Sequence, residues 1–167
     1  GARVQHSPLQ RCELLAQYLI GLEPVLTAIQ VPDLREMDFG AWEGQLWDNI
    51  PRAELQSWTD DFENHRCGGT GESTLSLMQR VGSVLQSCLQ HSTRLSQAAG
   101  DTPGPPTVWI THAGVMHAAI WLHQRGLATL GAPPLCLRAA EWPQHALGFG
   151  QVLVDIKATR ICGSQIG

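Results

Sequence analysis

The sequence predicts an α/β fold: three layers, helix, sheet and helix, built on a mainly parallel sheet. Three observations carry that expectation. Short apolar or alternating runs at residues 2–6, 25–31 and 107–111 are separated by longer segments with apolar residues at helical spacing. Turn or capping residues stand at the junctions. The 167 residues, 43% of them hydrophobic, suffice for one core, and no linker or repeat interrupts them. Residues 1–167 are therefore read as a single domain.

Taken in order, residues 2–6 read as the end of a strand. Ser7-Pro8-Leu9-Gln10 then reads as a helix start, with Ser7 capping, Pro8 in the first helical position and Gln10 completing a capping box. Leu9, Cys12, Leu15, Ala16 and Leu19 form its apolar face, and Gly21 suits its end. A second strand alternates through Val25, Thr27, Ile29 and Val31, and a loop rich in Gly and Trp follows from 34 to 44. A polar helix spans about 51–62. Ser73 caps a longer one, with Leu75, Met78, Val81, Leu85, Cys88 and Leu89 on one face. The loop 99–106 leads to a buried strand at 107–111, and His112-Ala113-Gly114 opens a helix ending near Gly126. Short strands are expected around 135–138, 146–149 and 151–156.

Composition narrows the classes of function. A formal charge of −4 argues against general nucleic-acid binding. No run approaches the roughly 20 apolar residues of a membrane span, and no secretory h-region is visible. Cys12, Cys67, Cys88, Cys136 and Cys162 are scattered and never spaced as Cys-x-x-Cys, so neither a metal site nor a disulfide framework is expected, and a reducing cytoplasm is the default. Lys157 is the single lysine, which removes a P-loop lysine from consideration.

In parallel sheets ligands bind beyond the carboxyl ends of the strands. That rule singles out three junctions: residues 7–11, the loop with Arg35 and Glu36, and residues 112–114. His112 closes a strand just before the free amides of a helix start, which suits a phosphoryl group, or it merely hydrogen-bonds a neighbouring loop. Arg11 lies in a first helical turn, where a cation opposes the helix dipole. A bound dianion would explain it, and so would a solvated surface arginine. Glu36, Asp38 and Glu43 stand among Met37, Phe39 and Trp42, where apolar surface and a nearby dianion would raise a carboxyl pKa as a general acid requires. Solvated loop carboxylates are the alternative. His112, His117 and His123 would spread over different helix faces, and no Gly-x-Ser-x-Gly elbow occurs. The six tryptophans read as core and pocket walls.

Four segments in order resemble the histidine phosphatase superfamily, the phosphoglycerate-mutase-like enzymes, and especially its alpha-ribazole-phosphatase-like members. Ser7-Pro8-Leu9-Gln10-Arg11 looks like that family's Ser-Pro-Leu-x-Arg helix start, and residues 34–44 look like its acidic loop. Gly71-Glu72-Ser73, with Arg80 and Val81 after it, matches a third motif, and residues 108–115 look like the strand bearing its second active-site histidine. The resemblance implies that Arg11 binds phosphoryl oxygens, that Glu36 is the proton donor, and that His112 and the amide of Ala113 hold the phosphoryl group. It implies hydrolysis of a small-molecule phosphomonoester through a phosphohistidine, with no metal or other cofactor. It also implies an earlier strand ending in Arg-His-Gly or Arg-His-Ala, whose histidine is the nucleophile. No such motif occurs in the chain, and His6 matches an ordinary position. The expectation is a phosphoglycerate-mutase-like fold lacking its first strand and helix, roughly 30 residues or more. An inactive phosphate-ligand binder or scaffold and a phosphoglycerate mutase are the other readings. Oligomeric state is not legible.

Overall fold

The computed structural model describes residues 2–98, 105–131, 135–142, 154–157 and 160–163. They group into two compact units. The first comprises the described residues of 1–35, 83–113 and 145–167; the second comprises those of 36–82 and 114–144.

The first unit holds the sheet. Strands β1 (Arg3–His6), β2 (Thr27–Gln30) and β3 (Thr107–Ile110) pair in the order β2-β1-β3, both pairings parallel. His6 stands opposite Gln30 and Ile110, so the three strands end level with one another. The pairing continues one step further, because Ser7 N–H donates to the Ile110 carbonyl (2.9 Å) and Val31 N–H to that of His6 (2.8 Å). Alternate residues of β1 face opposite sides. On one side Gln5 Oε1 accepts hydrogen bonds from Trp109 Nε1 (2.8 Å) and from Cys88 Sγ (3.2 Å). Cys88 belongs to α3 (Thr74–Ala98), so the polar centre of the sheet is satisfied from β3 and from that helix. Helix α1 (Gln10–Leu22) packs against all three strands through Cys12 and Ala16, both buried. Strands β4 (Val154–Lys157) and β5 (Arg160–Gly163) form a separate antiparallel pair.

The parallel sheet bears out the predicted fold class, with local corrections. Helix α1 begins at Gln10, not at Pro8, and has no side-chain cap; Ser7 Oγ accepts from Leu9 N–H at 3.2 Å just ahead of the helix and is otherwise engaged with His112. Leu15, assigned to the apolar face, is 47% exposed. The second strand keeps only four of its expected residues and lies at a sheet margin.

In the second unit, Leu77, Met78 and Val81 in the first turns of α3 and Val115 and Leu122 of α4 (Ala113–Arg125) are all fully buried, whereas α2 (Arg52–Asp60) buries no residue. Ser73 caps α3 as expected, accepting from Ser76 N–H at 3.2 Å. An aromatic chain runs from Phe39 through Trp47, Trp58 and Phe62 to Trp142 and His117, neighbouring ring centroids lying 5.1–6.4 Å apart. Most tryptophans are buried or half-buried, but Trp47 is exposed, against the expectation of core or pocket wall. The strand expected at 135–138 is also absent. Glu63, itself buried, takes the place of a neighbouring strand: its carboxylate accepts from Leu135 N–H (2.9 Å) and Leu137 N–H (3.2 Å). Of the later expected strands, 146–149 lies outside the described residues, and the one at 151–156 is seen as 154–157.

Candidate active site

His112 is the second residue past the end of β3, and Arg11 is in the first turn of α1 beyond β1, so the parallel register carries both to the same sheet edge. There the Arg11 guanidinium donates to His112 Nδ1 at 2.8 Å. Guanidinium has no acceptor, so Nδ1 offers its lone pair and the imidazole proton sits on Nε2. Nε2 meets Ser7 Oγ at 2.7 Å, with Cys12 Sγ at 3.5 Å. Ser7 is fully buried and the His112 ring nearly so, while Arg11 is exposed. The exposed cation therefore lies on the Nδ1 side, and Nε2 points inward. Thr111 fixes the strand end by donating its hydroxyl to the Leu34 carbonyl at 2.7 Å. A cavity of about 500 Å³ in the same unit, lined by Arg3, Gln5, Asp33, Cys88, His91 and Arg94, is bordered by none of Ser7, Arg11 or His112.

The acidic loop belongs to the second unit, and its three carboxylates have different occupations. Asp38 Oδ1 accepts from Gly40 N–H (2.8 Å) and Glu43 Oε1 from Phe39 N–H (2.9 Å), so both shape the loop. Glu36 Oε1 accepts from Met37 N–H at 3.0 Å and lies 2.6 Å from where a Cβ on Gly114 would stand. The carboxylate thus occupies the space that glycine leaves open on the first turn of α4. Arg80 fixes the Glu36 peptide, its NH2 reaching the Glu36 carbonyl at 3.3 Å. The same guanidinium grips Glu72 with two hydrogen bonds, Nε to Oε1 (2.8 Å) and NH2 to Oε2 (2.7 Å).

The structure thus brings Arg11 and His112 together, sets Glu36 against α4, and places Ala113 as the first residue of that helix. Sequence reasoning missed Ser7 as a partner of His112, Cys12 as its neighbour, and the tie from Arg80 to Glu36. The Gly-Glu-Ser motif followed by Arg80 was the signal for the last. Among the described residues no group of three or more metal-ligating side chains converges, and no helix is long and apolar enough to cross a membrane.

Residues 2–142 match the model of the histidine phosphatase superfamily, branch 1. The chain belongs to the histidine phosphatase superfamily. Nothing among curated proteins matches it. Similar solved structures include the alpha-ribazole phosphatase from Shigella flexneri (22% identity, 77% of this chain and 59% of that one, TM-score 0.54). Another is the mycobacterial glucosyl-3-phosphoglycerate phosphatase in complex with inorganic phosphate (20% identity, 77% and 62%, TM-score 0.58). At these identities the likeness is one of fold, and the chain spans about three fifths of the length of either of these phosphatases.

Proposed function

We propose that this chain carries the phosphate-binding and proton-donating residues of a phosphomonoester hydrolase that works through a phosphohistidine, on a small substrate of the alpha-ribazole phosphate kind. The observation that carries the reading is the contact of the Arg11 guanidinium with the His112 imidazole at the carboxyl edge of a parallel sheet, immediately before the free amides of α4. Arg11 would bind two phosphoryl oxygens. His112 and the Ala113 amide would hold the group and offset its charge in flight. Glu36 would protonate the leaving oxygen and then take a proton from the attacking water. All three carboxylates accept one loop amide, and support for Glu36 over its neighbours is its place against the first turn of α4. Gly114, against which Glu36 rests, follows His112 by two residues.

The nucleophile of this reaction is not among the 167 residues, which hold no Arg-His-Gly or Arg-His-Ala. The chain by itself should therefore bind inorganic phosphate without turning over p-nitrophenyl phosphate. Arg11→Ala should weaken that binding about ten- to hundredfold, as for loss of a charged hydrogen bond. Phosphate binding indifferent to both Arg11 and His112 would remove the reading. In a polypeptide that also carries an Arg-His segment, Glu36→Gln should slow hydrolysis of an alkyl phosphate by about 10²–10⁴-fold. It should slow p-nitrophenyl phosphate far less, because that leaving group departs without a proton. Selective loss in Glu43→Gln instead would transfer the acid role to Glu43.

A further inference from the structure

We infer that Ser7 is a positioning residue that pins the proton of His112 on Nε2, so that anion binding at Nδ1 converts this imidazole to an imidazolium. The inference rests on the phosphate site proposed above. Its basis is the pair of contacts at opposite ends of one ring: Arg11 NH2 to Nδ1 at 2.8 Å and Nε2 to Ser7 Oγ at 2.7 Å. A neutral imidazole carries one N–H, and the guanidinium claims the Nδ1 lone pair, so Nε2–H donates to Ser7. Ser7 has no exposed surface and its Oγ also accepts from Leu9 N–H at 3.2 Å, which holds the hydroxyl oxygen toward the ring.

An anion drawn to Arg11 meets His112 from the Nδ1 side. As the guanidinium turns to the anion's oxygens, the Nδ1 lone pair is left facing them, and two lone pairs repel. The ring has two ways to present a donor there. It can move its one proton from Nε2 to Nδ1, or it can gain a second proton and keep the first. The first way leaves Ser7 Oγ without its donor in a buried position. The second keeps the Ser7 bond, strengthens it through the ring's new charge, and adds a charge-assisted bond to the anion. With Ser7 in place the second way wins. The groups facing the ring in this unit include Arg11 and Cys12 of α1, and His6 lies next to Ser7, its Nδ1–H donating to the Ser7 carbonyl at 2.9 Å.

Sulfate is the suitable probe because it has no proton of its own to lend near neutrality. Calorimetric titration of the 167-residue chain at pH 8, repeated in buffers of different ionisation enthalpy, should show uptake of about one proton per sulfate, since a free imidazole is neutral there. Nitrogen NMR of His112 should move from the Nε2–H tautomer to the doubly protonated form. In Ser7→Ala, folded by circular dichroism, sulfate should bind about tenfold more weakly, and the uptake should fall toward zero, the ring now shifting its proton to Nδ1. A merely structural Ser7 would alter melting temperature and leave the proton count unchanged. Sulfate binding lost in Arg11→Ala but taking up no proton in the parent chain, or equal uptake in parent and Ser7→Ala, overturns the role of Ser7 and leaves the phosphate site standing. Absence of Arg11-dependent binding overturns both.

Discussion

Cys67 has no exposed surface, and burial first, then the negative charges of Glu72 and Asp38, push its thiol up from 9.0 to about 12. A thiol held protonated is a poor nucleophile, so iodoacetamide at pH 8 should label the exposed Cys136 of the native chain and spare Cys67. The shift also sets a pH dependence. Between pH 9 and about 12 the unfolded chain releases this proton while the folded one keeps it, so folding stability falls as pH rises through that window. The urea midpoint should decline there more steeply in the parent than in Cys67→Ala; equal slopes would show that the folded thiol ionises normally. Individual residues were legible where their chemistry is local. Arg11 is out of place against a helix dipole, and His112 stands before a helix start, so both could be singled out. Ser7 was read as a helix cap because sequence shows a residue's neighbours along the chain. Its partner is 105 positions away, across a strand pairing that no local pattern encodes.

The Arg80–Glu72 pair ties α3 to the segment just before it, and both side chains are about nine-tenths buried. Removing one partner of such a pair leaves the other's charge buried and unmet, so Arg80→Met should cost about 3–5 kcal/mol in urea unfolding. Replacing both by Met should cost much less. Because Arg80 NH2 also holds the Glu36 carbonyl, the amide resonance of Met37 should shift in either variant. An unmoved Met37 would mean that the pair stabilises α3 without placing Glu36. Element existence was read correctly for the long helices, where apolar spacing repeats over several turns. Boundaries were not. The start of α1 slipped by two residues because Ser-Pro satisfies helix-start chemistry whether or not the helix has begun. The segment 135–138 is not a strand, because Cys136 has left-handed backbone (φ +53) and a carboxylate, not a neighbouring strand, accepts the amides of Leu135 and Leu137; a local apolar pattern encodes neither.

For the whole molecule, the fold class followed from the alternation of strand and helix, and the level strand ends then fixed which turns could share an edge. What the alternation could not convey is how tightly two stretches of irregular chain are locked together within the second unit. Gly40 and Gly68 both have left-handed backbone, φ +57 and +55. A Cβ on Gly68 would lie 2.5 Å from Ala41 N and 2.6 Å from Phe39 O; one on Gly40 would strike Gly71 N; one on Gly71 would strike Asp38 O. The turns at 40–42 and 67–69 are therefore nested backbone to backbone. Gly68→Ala should lower stability by more than about 2 kcal/mol in urea unfolding, combining left-handed strain with the clash. A loss under about 1 kcal/mol would mean that the turns can part. Most core damage can be repaired at a second position, by trimming or enlarging a neighbouring side chain. Here the obstacles are peptide nitrogens and oxygens, which every amino acid supplies alike. Selection for suppressors of Gly68→Ala should consequently return the original glycine, or distant changes that raise stability globally, and no compensating partner at residues 39, 41 or 42.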